Sequence, residues 1–198
     1  MYLTVRGIVL RVTDHNDRDA ILTLLSQDQG KLTIKDKVFG PDGVLNDEHF
    51  NELTKCDPRY YDMTVEDIMR HRSGFMSDQL FRSKEVQSYL GLENPPKKED
   101  FFTMVFRNKL RAAPGTYTSY SNFGYLVLSE IIERVSGMPY DKFIKEHVMK
   151  PAGCYDMHIG GIYYKDKRHN EVRYYTQEGP GKYVPDFKNP QDTVESCY

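Results

Sequence analysis

Between residues 123 and 135 apolar side chains recur at helical spacing: Phe123, Leu126, Val127, Leu128, Ile131, Ile132 and Val135. The pattern predicts an α-helix with one broad buried face. A Pro114-Gly115 turn and a hydroxyl-rich segment lead into it, and Ser136-Gly137 followed by Pro139 stops it. Tyr120, Ser121 and Asn122 therefore sit at the positive end of a buried helix. A phenol, a hydroxyl and a carboxamide held there can cap the helix or carry chemistry. From these three residues alone, capping is the commoner outcome.

The rest of the chain is read in the same way. Residues 2–12 are rich in β-branched side chains and predict a strand broken at Gly7. The polar residues 13–19 lead into a short buried helix over 20–25. Residues 31–38 alternate briefly, 39–43 form a turn, and 44–63 are irregular. Thr64-Val65-Glu66-Asp67 resembles a capping box opening a helix through Ile68, Met69 and His71, closed by Ser73-Gly74. Residues 76–97 are mixed and broken by Pro95-Pro96. A helix is predicted over 98–110, with Phe101, Phe102, Val105 and Phe106 on one side. Another follows over 140–150, with Phe143, Ile144, His147 and Val148 inward. Residues 165–198 read as extended or poorly ordered, and no internal repeat is present.

Composition adds limits. A chain of 198 residues suits one domain, and 15 tyrosines and 10 phenylalanines supply core volume despite a mean hydropathy of −0.65. With 27 basic and 29 acidic residues, nothing favours nucleic acid as a partner. Cys56, Cys154 and Cys197 are odd in number and far apart, which fits a reducing compartment. No segment reads as a signal peptide or membrane span, so the expectation is an intracellular, cytoplasmic protein, with a mitochondrial location left open. Asp14-His15-Asn16-Asp17 lacks the spacing of a metal loop and reads as a solvated helix cap. No metal or cofactor is expected. His71, in Arg-His-Arg-Ser-Gly, reads as a hydrogen-bonding histidine at a helix end and not as a catalytic base.

Four pieces stand in order: Gln29-Gly30-Lys31-Leu32, residues 64–75 (Thr-Val-Glu-Asp-Ile-Met-Arg-His-Arg-Ser-Gly-Phe), the stretch from Pro114-Gly115 to Asn122-Phe123-Gly124-Tyr125, and Ser136-Gly137-Met138-Pro139-Tyr140. Together they resemble the serine β-lactamase-related family: class C β-lactamases, penicillin-binding D,D-peptidases, related esterases and eukaryotic β-lactamase-like proteins. The resemblance covers about residues 20–160. It implies an α+β, β-lactamase/transpeptidase-like fold, here mostly the helical subdomain with an incomplete antiparallel sheet, in a single partial domain.

It also implies acyl transfer on a small-molecule or peptide acyl substrate. In the family a serine from Ser-x-x-Lys attacks a carbonyl while a Tyr-x-Asn element handles protons and substrate. Tyr120-Ser121-Asn122 matches the latter, which makes Tyr120 the expected acid and base and Asn122, with Ser121, the expected substrate contact. The sequence departs from the pattern twice. No Ser-x-x-Lys occurs in it; Thr13 with Asn16 is the only stand-in, and asparagine is not a base. No Lys-Thr-Gly or His-x-Gly triplet follows Tyr163. The expectation is therefore a hydrolase homologue impaired in catalysis, or alternatively a non-catalytic binding or scaffold protein that keeps the Tyr-x-Asn cleft. The oligomeric state is not legible.

Overall fold

The computed structural model describes residues 32–76, 83–93 and 96–158, the turn residue His169 and the backbone of the short strands named below. It divides into two compact units, Met1–Cys154 and Tyr155–Tyr198. In the second, strands β7 (Tyr175–Gly179) and β8 (Lys182–Pro185) form an antiparallel hairpin with a bulge between Gln177 and Gly179.

The first unit begins with hairpins. The strand expected over 2–12 is two, β1 (Leu3–Val5) and β2 (Ile8–Leu10), paired with Leu3 opposite Leu10. Strands β3 (Asp14–His15) and β4 (Asp19–Ala20) pair antiparallel next, so the backbone of Asp14 and His15 is strand where a helix cap was expected. Where the helix expected over 20–25 is described, at Ala20 and at Leu24 and Leu25, the backbone is strand: β5 (Leu24–Ser26) pairs with β6 (Gly30–Leu32). An apolar run of that length carries no usable period, and at Leu24 and Leu25 the pairing with Leu32 and Lys31 decides the conformation. Each described ladder holds two strands.

The helical part follows. It comprises α1 (Glu48–Thr54), a 3-10 turn (Pro58–Asp62), α2 (Val65–Met69), α3 (Ser83–Leu90), α4 (Lys98–Phe106), α5 (Asn122–Ser136) and α6 (Tyr140–Ile144). The capping box at Thr64 forms as its sequence predicts: Asp67 N–H donates to Thr64 Oγ1 at 3.2 Å and Thr64 N–H donates to Asp67 Oδ2 at 3.0 Å. Helix α4 buries Phe101, Phe102, Met104, Val105 and Phe106. Phe106 is fully buried among the rings of Phe39, Phe50, Tyr60, Phe75, Phe102 and Phe123. Lys98, at the start of α4, pairs with Glu130 and Glu133 of α5 at 2.7 and 2.9 Å and ties the two helices together. After Ile144 the backbone runs into a π-helical turn, Lys145–Met149. The wider turn changes the helical period, and Val148, expected to face inward, is 45% exposed.

Asp57 is the polar hub under this core. Its carboxylate caps the 3-10 turn, accepts from Arg59 Nη2 at 2.6 Å, and accepts from Leu110 N–H at 2.9 Å across the fold. The side chain is 4% exposed. The Arg59 guanidinium beside it, with the two backbone amides, pulls its carboxyl down to about 2, from an ordinary 3.8. A carboxyl depressed in the folded state stabilises the fold fully above the unfolded-state value and ceases to do so as pH falls through the folded one. The shift corresponds to about 2 kcal/mol at neutral pH. Urea denaturation is expected to show that increment fading between about pH 4 and pH 2 and missing from Asp57→Asn, whose pH dependence in this window is flatter. Parallel profiles for the two proteins would show that Asp57 does not carry the acid sensitivity.

Candidate functional site

The site is built where two backbone segments run side by side. Residues 71–74, after α2, accept a series of hydrogen bonds from residues 111–119: Gly74 O from Arg111 N–H, Arg72 O from Gly115 N–H, and His71 O from Ser119 N–H, each at 2.8 Å. The series ends at the mouth of α5. There Ser121, 3% exposed, caps the helix by accepting from Gly124 N–H at 3.0 Å. Gly124 permits close approach of α5 to α2, since a Cβ on it would stand 3.1 Å from Ile68 Cγ2. At the other end Gly137, with φ +66°, closes α5 as its sequence predicts.

The structure brings the three expected residues together in two different environments. Ser121 faces inward as the cap. Tyr120 faces outward, 67% exposed, and its phenol donates to Asn122 Oδ1 at 2.8 Å. Asn122 is half-buried at the first position of α5. Phenol and carboxamide thus form one connected pair at the positive end of a fifteen-residue helix, a place suited to an anionic or carbonyl oxygen.

His71 is the residue that sequence reasoning placed at a helix end without connecting it to the site. It has φ +56°, the one non-glycine among the described residues in the left-handed region. Its ring lies 4.7 Å from the Tyr120 ring and stacks on Tyr125 at 5.2 Å, centroid to centroid. Its Nδ1 accepts from Ser121 N–H at 3.2 Å. No local signal announces these contacts, because the partners are about fifty residues apart. Of the other expected residues, Thr13 and Asn16 lie outside the described residues, as does everything from 186 onward. No described helix is long and apolar enough to cross a membrane.

Comparison with known proteins agrees with this architecture. The family model described as Beta-lactamase matches residues 20–193, past the expected limit of 160. The chain belongs to that family. A D-alanyl-D-alanine carboxypeptidase homologue of Escherichia coli (strain K12) is 30% identical over 91 residues, 46% of this chain and 20% of that protein. Its Salmonella paratyphi A counterpart is 30% identical over 125 residues, 63% of this chain and 27% of its own length. The chain thus spans about a fifth to a quarter of these relatives. Among solved structures, the D-stereospecific amidohydrolase from Streptomyces sp. superimposes with a TM-score of 0.53 at 20% identity, covering 75% of this chain and 44% of the other. The octameric penicillin-binding protein homologue from Pyrococcus abyssi gives 0.52 at 25% identity, covering 81% and 33%. The fold is β-lactamase/transpeptidase-like.

A second family model, described as Recombination protein O N terminal, matches residues 1–35. Residues 20–35 are therefore shared by both matches, and Gln29-Gly30-Lys31-Leu32 falls inside the shared stretch. Thr13 and Asn16, the stand-ins for Ser-x-x-Lys, precede the β-lactamase match and lie within the other.

Proposed function

We propose that this chain is a β-lactamase-family hydrolase homologue that keeps the substrate-side element of the site, Tyr120 and Asn122, and is impaired in acyl transfer. The observation that carries the reading is the hydrogen-bonded Tyr120–Asn122 pair fixed at the start of α5, in a sequence that contains no Ser-x-x-Lys. A tyrosine can pass a proton and an asparagine can hold a substrate amide, but neither replaces an activated nucleophile. In this reading the chain holds mainly the family's helical subdomain with part of its sheet. The relatives named for D-alanyl-D-alanine and D-stereospecific amides suggest the ligand class, an acylated D-amino acid amide. Because the Tyr120–Asn122 pair needs no nucleophile to hold a substrate amide, binding without turnover is the second reading, with the chain acting as a recognition or scaffold element.

Intact-mass spectrometry after incubation with a β-lactam is expected to show no added acyl group. A stable covalent adduct would overturn the impaired reading. Thermal unfolding with N-acetyl-D-alanyl-D-alanine at millimolar concentration separates the two readings. A rise in midpoint that is abolished in Asn122→Ala supports a binding cleft, and an unchanged midpoint rejects it.

A further inference from the structure

We infer that His71 is the positioning residue of this site, a clamp that fixes Tyr120 by holding the amides on both sides of it; the inference rests on the reading of Tyr120 as the site's working phenol. The geometry is specific. Ser119 N–H donates to the His71 carbonyl at 2.8 Å, and Ser121 N–H donates to the His71 ring Nδ1 at 3.2 Å. One residue therefore receives the amides immediately before and after Tyr120, and the Tyr120 ring rests against the same imidazole at 4.7 Å. Two anchored neighbours leave the Tyr120 backbone little freedom, so its phenol is directed at Asn122.

Both hydrogen bonds depend on the unusual backbone of His71. With φ +56° the residue presents both its carbonyl and its ring to the same segment, residues 119–121. Side chains other than Asn, Asp and His seldom accept that conformation. An acceptor at Nδ1 requires that atom to be unprotonated, so the neutral ring carries its proton on Nε2. Tyr125 stacks on the ring and donates to Met69 O at 3.4 Å, which steadies the imidazole from the α5 side.

The test uses the full chain and no ligand, so it stands apart from the binding experiment above. Nitrogen NMR of the His71 ring is expected to show an unprotonated Nδ1, with a through-bond coupling to the Ser121 amide proton. The Nδ1–H tautomer would overturn the clamp before any variant is made. Two variants then separate clamp from packing. His71→Gly keeps the backbone conformation and removes the acceptor; the Ser121 amide is expected to exchange with solvent at least tenfold faster while the Ser119 amide is unchanged. His71→Asn tolerates the same φ and places an oxygen where Nδ1 stood, so slow exchange at Ser121 is expected to return. Unaltered Ser121 exchange in His71→Gly, or no restoration in His71→Asn, would reduce His71 to a packing residue.

Discussion

Gly74→Ala is expected to lower stability by about 3 kcal/mol and to disrupt the site with the fold. Gly74 has φ +79°, and a Cβ on it would stand 2.1 Å from the backbone oxygen of Ala112. The left-handed backbone alone costs an alanine about 1–2 kcal/mol, and overpacking against an atom that cannot rotate away adds about 1–3. Movement of Gly74 also pulls on its carbonyl, the acceptor for Arg111 N–H, at the base of the bond series that leads to Tyr120. Gly137→Ala is the control, because its φ of +66° is similar but nothing lies within 4 Å of its Cβ position. Urea midpoints should show Gly74→Ala losing about twice as much as Gly137→Ala. Equal losses would mean that the Ala112 contact relaxes freely.

Phe106→Ala is expected to cost about 3–5 kcal/mol. The ring is 0% exposed, and its nearest aromatic neighbours stand at 5.1 Å (Phe39), 5.4 Å (Phe123) and 5.5 Å (Tyr60), all close to edge-on. Phe39 precedes the helices, Tyr60 lies on the 3-10 turn, and Phe123 opens α5, so one ring links three separate parts of the chain. A cavity at that point cannot close without shifting all three. Phe106→Leu, which keeps most of the volume, should cost less than about 1.5 kcal/mol. The difference between the two variants, read from urea denaturation, measures the cavity. Should Phe106→Ala cost no more than Phe106→Leu, the aromatic cluster would not be the keystone described here.

The readable parts of the sequence are those whose causes are local. Thr64 and Asp67 are three residues apart, and the box they form is present in the folded chain. Ser121, the apolar stripe behind it and Gly137 fix α5 within seventeen residues, Ser121 to Gly137. Helix α1, inside the stretch read as irregular, also has a local cause: Asp47 is its N-cap and accepts from Phe50 N–H, but the short apolar pattern behind it shows no helical period. Asp57-Pro58, an N-cap followed by proline at the first position, likewise announced the 3-10 turn. What could not be read locally is the partner of each. Asp57 meets Leu110 and His71 meets Ser121 across about fifty residues, and no periodicity reports such a meeting. The helix expected over 20–25 failed for another reason: the conformation of Leu24 and Leu25 is set by the strand they pair with, Gly30–Leu32, and that of Ala20 by its pairing with Asp14.

The bond from Ser121 to His71 also sets a sequence of events in time. Helix α5 carries its own cap and its own stop, so it can form from its immediate neighbours. Tyr120 acquires its place only when the chain between positions 71 and 121 has closed into a loop. Closing about fifty residues costs roughly 3.5 kcal/mol of chain entropy by the logarithmic law. The helix can therefore form before this loop closes, whereas the backbone around Tyr120 is anchored only once it has.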